Sequence, residues 1–482
     1  MEKRVLEGLQ PARALYYFEE ISKIPHGSRN TRQISDYLVG FAKEHGLRYV
    51  QDDVNNVVIY KDGTQGYAQH PIVILQGHMD MVAEKTKDSP IDFAKDALEL
   101  RTDGEYIWAE GTTLGGDDGI AVAYALAILE AADIPHPPLE CVFTVDEEVG
   151  MDGAAALDPA LLKGRVFLNC DSEDEGILTV SCAGGATSGL NLPIEIDKAE
   201  GKGVHIYVDG LLGGHSGAEI NKGRANSNKV MGELLERLLK RMPYRLVYVR
   251  GGQKDNAIPR YTMAKIIVPD HRLEDALQEI DAIAVELLKT LPEQEIKAKI
   301  TREACVCRGR AMTVAATRKT VGLLHDVPNG IQAMSQDIEG LVQTSLNLGI
   351  LKTEGEEVSM TFSVRSSVND EKLALIEKLK AAGGQYGASY HEHGAYPAWE
   401  YRKDSPLRDL MVRVFEELYG RKPVVEAIHA GLECGLFSGK LPGLDCVSFG
   451  PDMQDIHTTR ERLSIASAAR TWQYLLAVLK QL

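Results

Sequence analysis

CVFTVDEEVG, residues 141–150, joins an apolar strand to a run of acids and indicates how this chain folds. Its first five residues predict a strand that is buried on both faces. Three carboxylates follow at once, Asp146, Glu147 and Glu148, before a glycine. Adjacent acids repel one another, and carboxylates beside an apolar strand lose solvation. Because this arrangement is unfavourable for stability, we expect a functional site after the strand.

The same order, an apolar strand and then acids or histidines, recurs along the chain: His78 and Asp80 follow PIVIL, Asp171 follows VFLNC, and His457 comes seven residues after CVSFG. A fifth group, Asp117 and Asp118, begins the predicted helix GDDGIAVAYALAILEAA. Strands that alternate with helices predict a mostly parallel sheet with crossover connections. Ligands of such sheets bind beyond the carboxyl ends of the strands, so we expect all five groups at one edge.

These residue types predict a site for metal ions. Two imidazoles and three or four carboxylates, with no suitably placed cysteine, form the nitrogen and oxygen set that zinc, manganese or cobalt accepts. Without cations, the carboxylates would raise one another's pKa values steeply, and two divalent ions would remove that cost. Two ions bridged by a carboxylate and a water form a common hydrolytic site.

The spacing of the candidates suggests their roles. His78 and Asp80 are two residues apart, so on an extended segment Asp80 can accept a hydrogen bond from the ring nitrogen of His78 that does not face the metal. Asp117 can be either the N-cap of the following helix or a bridging ligand, and the other clusters favour the ligand. Of Glu147 and Glu148, one can bind metal while the other moves a proton, but spacing does not say which.

Composition limits the class of protein. The chain has 482 residues and a formal net charge of −17, which argues against nucleic acid or an anionic membrane as a partner. Neither a signal peptide nor an apolar run of membrane-spanning length is expected from the sequence. The 7 cysteines, an odd number, lie mostly in apolar runs, which is typical of buried free thiols in a cytoplasmic protein.

The chain is too long for one ordinary domain, and its pattern changes twice. The first change is at SCAGGATSG, near Cys182, and the second is near HEHGAYPAW. We therefore expect an α/β catalytic domain with a mostly parallel sheet, interrupted by an inserted α+β domain. The expected parts are residues 1–185 and 396–482 for the catalytic domain, and residues 186–395 for the insertion.

Five motifs resemble those of a known family: GHMDMV, LGGDDG, DEEVGMDGA, NCDSEDEG and IHTTRERLS. They are similar to the co-catalytic zinc metallopeptidases related to aminoacylase and bacterial carboxypeptidases. Within these, the branch of aminoacyl-histidine (Xaa-His) dipeptidases is the most similar. The match runs along nearly the whole chain, and the motifs in this order are far more specific than any one of them.

The resemblance implies roles for the residues of these motifs. The implied metal ligands are His78, Asp117, Glu148, Asp171 and His457. Asp117 would bridge the two ions, and its peptide bond to Asp118 would be cis. Asp80 would support His78, and Glu147 would act as general base and then general acid.

The resemblance also implies that the inserted domain is a lid. The implied substrate contacts are His215, Asn256, Arg365, His429 and Glu433. His215 would polarise the scissile carbonyl, and Asn256 and Arg365 would bind the substrate carboxylate or the oxyanion. Many relatives have a lysine after the aspartate pair, whereas this chain has Gly119, so helix packing at that position is expected to differ.

The expected activity is hydrolysis of unblocked dipeptides, including Xaa-His substrates such as β-alanyl-histidine, by a water activated between two divalent metals. Zinc is the expected metal, with manganese or cobalt as alternatives, and the resemblance favours a homodimer. A deacylase of N-acyl-amino acids could use the same site. A third hypothesis is a metal-binding or peptide-binding protein without catalysis. The intact ligands and base argue against it.

Overall fold

A computed structural model describes residues 4–482, except for the side chains of residues 307 and 308. Within these residues the chain forms eleven α-helices: α1 (Ala12–Ile21), α2 (Arg32–Glu44), α3 (Gly116–Glu130), α4 (Asp152–Ala156), α5 (Ser227–Arg241), α6 (Leu273–Leu288), α7 (Val314–Asp326), α8 (Asn369–Tyr386), α9 (Pro406–Tyr419), α10 (Glu433–Lys440) and α11 (Ile465–Gln481).

The strands of the described residues are β1 (Arg48–Gln51), β2 (Val57–Lys61), β3 (Val73–His78), β4 (Leu100–Thr102), β5 (Tyr106–Ala109), β6 (Leu139–Thr144), β7 (Val166–Asn169), β8 (Ile177–Cys182), β9 (Gly184–Pro193), β10 (Ile196–Asp209), β11 (Gly214–His215), β12 (Arg245–Gly251), β13 (Ala257–Ile258), β14 (Thr262–Val268), β15 (Lys299–Met312), β16 (Gly330–Met334), β17 (Val342–Glu354), β18 (Glu357–Ser366), β19 (Ser389–Tyr396), β20 (Val424–Ile428), β21 (Asp445–Ser448), β22 (Met453–Gln454) and β23 (Arg462–Ser464).

The chain divides into two units. Unit 1 takes the chain up to Cys182, together with Tyr401–Ala427 and Leu432–Leu482. Unit 2 takes Ala183–Glu400 and the short segment Ile428–Gly431. The α/β fold class expected from the sequence is confirmed, whereas the role of unit 2 as a lid stays a prediction.

Unit 1 is built on an eight-stranded sheet in the order β1-β2-β6-β3-β7-β21-β8-β20. Its four middle strands, β6, β3, β7 and β21, are parallel to one another. The strands β1, β2 and β8 pair antiparallel to their neighbours. In the middle strands His78 pairs with Thr144, and Asn169 pairs with both Gln76 and Ser448. The residues that follow these strands therefore gather at one edge.

The helix α3 lies in the core of unit 1 and is buried from Gly116 to Leu129. After the aspartate pair its residues are mostly small or aliphatic on every side, as expected of a helix with no solvent-facing stripe. Gly119 lies against α1, and a Cβ at that position would be 3.3 Å from both Phe18 and Ile21. Because α1 fills this space, a lysine like that of many relatives would have no room here, and helix packing at Gly119 excludes a long side chain.

Unit 2 is built on a nine-stranded sheet in the order β15-β10-β14-β12-β17-β18-β9-β19, with β16 beside β17. Every pairing recorded in this sheet is antiparallel. The core of unit 2 lies between this sheet and the helices α5 to α8, with Leu234, Ile266 and Phe362 fully buried. The α+β character expected of the insertion follows from this arrangement.

The breaks in the sequence pattern near both expected boundaries are strands. SCAGGATSG contains the end of β8 and the start of β9, and HEHGAY lies in β19, which pairs with β9. The change of pattern near HEHGAYPAW therefore coincides with an edge strand close to the end of unit 2 at Glu400, and the expected bounds 186–395 stay a prediction. An edge strand needs only one neighbour, so it tolerates the polar and glycine residues that resemble a linker. Among the described residues, no helix has the length and apolar character needed to cross a membrane.

Candidate metal centre

The carboxylate of Asp117 lies between two histidines at the edge of the unit 1 sheet. Its Oδ1 is 3.1 Å from Nε2 of His78, and its Oδ2 is 3.1 Å from Nε2 of His457. Only 8% of Asp117 is exposed. One carboxylate therefore presents one oxygen to each imidazole, as a ligand shared by two ions must.

Each histidine also has a second carboxylate. Oδ1 of Asp171 lies 3.7 Å from Nε2 of His78, and Oε1 of Glu148 lies 2.9 Å from Nε2 of His457. Two sets of ligand-type atoms, each within 4.8 Å of one another, occur among the described residues: His78, Asp117 and Glu148 form one, and His78, Asp118 and Asp171 form the other. The structure thus brings together all five ligands that the resemblance implies.

Asp117 is not the N-cap of α3. The capping position is Gly115, without a side-chain hydrogen bond, and Asp117 and Asp118 have non-helical backbone angles. The peptide bond between these two aspartates is cis. The capping alternative therefore fails, because the Asp117 carboxylate faces the histidines and not the free N–H groups of the helix.

His78 is held by the main chain of Asp80. Its Nδ1 donates to the Asp80 carbonyl oxygen at 2.9 Å, whereas Oδ1 of the Asp80 carboxylate is 3.6 Å away. A carbonyl can only accept, so Nδ1 carries a proton, and Nε2 is the ring nitrogen that faces Asp117 and that a metal ion would take. The sequence predicted this tautomer, but it assigned the closer acceptor to the carboxylate. The segment after β3 places the Asp80 carbonyl closer to the ring than the Asp80 carboxylate.

The Asp80 carboxylate has other partners. Its Oδ2 accepts from the Ser28 hydroxyl at 2.8 Å, and its Oδ1 accepts from the Glu147 N–H at 3.1 Å. Asp80 is 1% exposed. It therefore ties the segment after β3 to the segment after β6, which fixes the backbone of Glu147. Sequence reasoning missed Ser28, because a lone serine after IPHG carries no signal of a contact 52 residues away.

Glu147 and Glu148 lie in different surroundings. Glu148 approaches His457 and belongs to a set of ligand-type atoms, whereas Glu147 belongs to neither set. Burial, together with the charges of Glu433 and Glu148, raises the pKa of Glu147 to about 8. A carboxyl group with a pKa near neutrality can take up and release a proton during turnover. The geometry thus supports Glu148 as the ligand and Glu147 as the proton carrier.

The charges of the site are crowded. Burial and neighbouring acids raise the pKa of Asp118 and Asp171 well above their usual range. Asp117 and Glu148 raise the pKa of His457 to about 10. Among the described side chains, Oδ1 of Asp118 and Oδ2 of Asp171 are buried without a hydrogen-bond partner. Buried oxygens of this kind need a cation or a proton.

Glu433 lies beneath this site and is completely buried. Its Oε2 accepts from the Gln76 amide at 2.5 Å and from the Thr144 hydroxyl at 2.7 Å, and burial raises its pKa to about 7. Its other oxygen, Oε1, is buried without a hydrogen-bond partner among the described residues. Glu433 therefore joins the ends of β3 and β6 through Oε2, while contact of its other oxygen with substrate stays a prediction.

The remaining implied substrate residues lie in unit 2. Nδ1 of His215 accepts from the N–H groups of Gly217 and Ala218 at 3.2 and 3.0 Å. The proton of the neutral ring is therefore on Nε2, which can donate to a substrate oxygen. Burial and the charge of Arg365 lower the pKa of His215, which favours this neutral form.

Arg365 and His429 are neighbours of His215. Nη1 of Arg365 donates to the Tyr396 hydroxyl at 3.2 Å, and its Nε is buried without a hydrogen-bond partner among the described residues. Nε2 of His429 lies 2.7 Å from the Ser345 hydroxyl. Burial and the charge of Arg365 lower the pKa of His429 to about 4. This cluster is therefore a cation beside two neutral imidazoles, which suits a carboxylate.

Asn256 is exposed, and no side-chain hydrogen bond joins it to this cluster among the described residues. Its carbonyl accepts from the Ser216 N–H at 2.8 Å, directly after His215. The amide of Asn347 donates to the carbonyls on both sides of Asn256, those of Asp255 and Ala257, at 3.1 and 2.9 Å. The backbone of Asn256 is thus fixed next to His215, while its side chain is free to meet a ligand.

Comparison with known proteins agrees with the motifs. The family model described as Peptidase family M20/M25/M40 matches residues 74–481. The cytosol non-specific dipeptidase of Escherichia coli (strain K12) is 37% identical over 481 residues, which cover 99% of each chain. The resemblance stated from the sequence is confirmed by these matches.

Solved structures agree as well. The aminoacylhistidine dipeptidase of Vibrio alginolyticus superposes with a TM-score of 0.94 and 35% identity, covering 100% of this chain and 98% of that chain. Aminopeptidase PepT of Bacillus cereus ATCC 10987 superposes with a TM-score of 0.57 over 98% of this chain and 99% of its own. At 16% identity, this second match shows a shared fold alone.

Proposed function

Because this chain belongs to peptidase family M20/M25/M40, we propose that it is a metal-dependent dipeptidase that hydrolyses the peptide bond of unblocked dipeptides. The names of the Escherichia coli and Vibrio alginolyticus relatives support this activity, and the second name supports Xaa-His substrates such as β-alanyl-histidine. Both relatives match along almost the full length of the chain, so the whole protein can be compared with them.

One observation carries the proposal: Asp117 presents one oxygen to His78 and the other to His457, each at 3.1 Å. Asp171 adds a carboxylate on the His78 side, and Glu148 adds one on the His457 side. A single ion would leave one side of this arrangement without a cation. All five side chains would be used if they held two divalent ions, with Asp117 facing both.

The residues fit such ions. The donor set contains nitrogen and oxygen alone, which suits zinc and also manganese or cobalt. The unpartnered buried oxygens of Asp118 and Asp171 show that the site holds more negative charge than its own hydrogen bonds neutralise. We propose zinc as the physiological metal. Bound divalent ions would supply Lewis acidity and would lower the pKa of a water molecule.

The side chains of unit 1 would handle the proton. The Glu147 carboxylate would accept a proton from the attacking water and later donate it to the nitrogen of the leaving amine. Its pKa of about 8 supports this double role, because neither protonation state is strongly excluded near neutral pH. Asp80 would keep the Glu147 backbone in place through the hydrogen bond from its N–H.

We assign recognition of the substrate to residues of unit 2. The Nε2–H group of His215 would donate to the carbonyl oxygen as negative charge develops there. Arg365, with His429 and Asn256 nearby, would bind the free carboxylate of the dipeptide. The buried Nε–H of Arg365 supports this assignment, since it has no acceptor among the described residues. Glu433 would support the site through Oε2 and offer its unpartnered Oε1 to the substrate, and unit 2 is proposed to be the lid.

Two further parts of the proposal are the location of the protein in the cell and its oligomeric state. A cytoplasmic location is supported by the name of the Escherichia coli relative. A homodimer is proposed from the family resemblance, and light scattering of the purified protein would test it. Neither part affects the chemistry of the site.

The test is hydrolysis of a dipeptide panel by Glu147→Gln and by wild type, both reconstituted with zinc. We expect Glu147→Gln to lose at least about 100-fold in kcat, as removal of a general acid–base group does, while two metals per chain remain bound. Asp152→Asn, an exposed acid five residues further on, is the control and should keep full activity. Wild-type turnover by Glu147→Gln would overturn the role of Glu147. Preference of the wild type for N-acetyl-amino acids would favour the deacylase instead.

A further inference from the structure

Glu461 is a buried acid that the proposed reaction does not use. It is 3% exposed, and both of its oxygens accept from main-chain N–H groups. Oε2 accepts from Leu114 at 2.7 Å and from Gly115 at 3.2 Å. Oε1 accepts from Gly116 at 2.8 Å and from Asp117 at 3.4 Å. One carboxylate thus receives the N–H groups of four consecutive residues.

These four residues lead directly to the shared carboxylate. The first N–H groups of a helix have no partner within the helix, and α3 has no side-chain cap of its own. Glu461 supplies the missing acceptor from a segment that lies 344 residues further along the chain than Asp117. The backbone on which the Asp117 carboxylate is mounted is therefore shaped around Glu461.

The same loop that supplies Glu461 also supplies His457, four residues earlier. Nε2 of His457 lies 3.1 Å from Oδ2 of Asp117, while Oε1 of Glu461 accepts from the Asp117 N–H at 3.4 Å. Within this loop the Glu461 N–H donates to the Thr458 carbonyl at 3.1 Å, which makes a tight turn between the two residues. The loop therefore holds Asp117 by both its side chain and its main chain.

The packing leaves little freedom for this contact. A Cβ at Gly116 would lie 3.3 Å from Oε1 of Glu461 and 3.2 Å from Sδ of Met453. A Cβ at Gly115, where φ is +69°, would lie 2.9 Å from Sδ of Met81. Glycine at both positions lets the backbone approach the Glu461 carboxylate and Met81, and a side chain at Gly116 would press on the Glu461 contact.

We propose that Glu461 is a positioning residue for the metal centre, an inference that rests on the proposed function. It sets the direction of the Asp117 carboxylate and holds His457 opposite to it, so that one carboxylate can serve two ions. Glu461 does not touch the ions or the substrate in this role. Partners behind a metal ligand commonly change metal affinity or activity by about 10- to 100-fold when they are removed.

Glu140 provides a matched control. It is also 3% exposed, and it also accepts from main-chain N–H groups, those of Lys163 and Gly164 at 3.0 Å. It lies at the start of β6, whereas the metal centre follows the end of that strand. Glu140→Gln therefore removes a similar buried acceptor without touching the loop before Asp117.

The experiment compares metal binding by the full-length chain after chelation of its metals. Cobalt(II) is titrated into wild type, Glu461→Gln and Glu140→Gln in competition with an indicator, and the visible spectrum of cobalt is recorded. We expect Glu461→Gln to weaken at least one of two cobalt affinities by about 10- to 100-fold and to change the spectrum. Glu140→Gln should keep both affinities and the spectrum. With saturating metal, Glu461→Gln should lower kcat while KM changes by less than about threefold.

Two further variants keep the test decisive if Glu461→Gln folds poorly. Glu461→Asp retains both oxygens and should recover part of the lost cobalt affinity, and Gly116→Ala should weaken it mildly because it disturbs the same contact. Wild-type cobalt affinities and spectrum in both Glu461→Gln and Gly116→Ala would overturn the role of Glu461. Equal loss in Glu140→Gln would overturn it too. A wild type that binds two cobalt ions but cleaves no dipeptide would refute the proposed function, and the affinity comparison would still judge Glu461.

Discussion

Replacement of Gly77 by alanine should damage the metal centre without touching any of its proposed ligands. Gly77 is the residue of β3 before His78, where the strand crosses α3. A Cβ at this position would lie 2.6 Å from Cβ of Ala121 and 2.6 Å from Oδ2 of Asp118. The same Asp118 oxygen accepts from the His78 N–H at 3.3 Å. The new methyl group would therefore enter the space between β3 and the aspartate pair.

The size of the effect follows from these distances. Carbon atoms in contact prefer separations of about 3.5–4.0 Å, so relief of the overlap requires a shift of roughly 1 Å. Overpacking of this kind costs about 1–3 kcal/mol of unfolding free energy. A misplacement of about 1 Å at catalytic groups can lower the rate by about 100-fold. We expect both losses in Gly77→Ala.

The loss of stability would be measured by urea unfolding, and the loss of rate by kcat with saturating metal. The double variant Gly77→Ala/Ala121→Gly removes one of the two overlaps, so it should recover part of the stability, but the contact with Asp118 should keep kcat low. Gly40→Ala is the control, because a Cβ there meets nothing within 4 Å on the exposed side of α2. It should stabilise the protein by about 0.5–1 kcal/mol. Wild-type stability and kcat in Gly77→Ala would refute the reasoning.

Three other predictions concern stability. Gly119→Lys, which introduces the residue of many relatives, should cost at least about 3 kcal/mol in urea unfolding, since α1 fills that space. Lys229→Met should cost about 2–4 kcal/mol of unfolding free energy, because Lys229 of α5 donates to three main-chain carbonyls at the end of α7 at 2.7 Å each. The control Lys240→Met, which removes an exposed ion pair from α5, should cost less than about 1 kcal/mol. The low pKa of His429, about 4 against 6.5 for a free histidine, should stabilise the fold above pH 6.5, and this contribution of about 3 kcal/mol should disappear as the pH falls to 4. His429→Asn should therefore show a flatter dependence of unfolding free energy on pH over that range, and an unchanged slope would contradict the burial of a neutral ring.

Much of the fold could be predicted because its signals are local. The apolar runs before His78, before Asp146 and before Asp171 each predict a buried strand, and the helix between the first two makes a parallel pairing necessary. Parallel strands end at one edge, so the sequence predicted that the acids and histidines would meet. That expectation needed no contact to be known in advance.

The change of pattern near HEHGAYPAW lies close to the end of unit 2 at Glu400, but the sequence did not predict a strand there. The segment HEHGAY is polar and contains glycine, so its composition is that of a linker. It forms an edge strand because β9 offers it a row of free main-chain groups on one side. Main-chain hydrogen bonds carry no sequence signal, and only the fold shows where a partner is available.

The sequence by itself determined which chemistry this protein can offer: its imidazoles and carboxylates, the rigid strands that carry them, and the family whose motifs they match. The tertiary structure decided how these groups are aimed. It turned the Asp117 carboxylate towards two histidines and away from the helix end, and it directed the Nδ1–H group of His78 to the Asp80 carbonyl. It also brought Glu461 to a loop 347 residues earlier in the chain, at Leu114. The physical reason is that residue type sets which bonds a side chain can form, whereas direction depends on backbone contacts between segments that are distant in sequence.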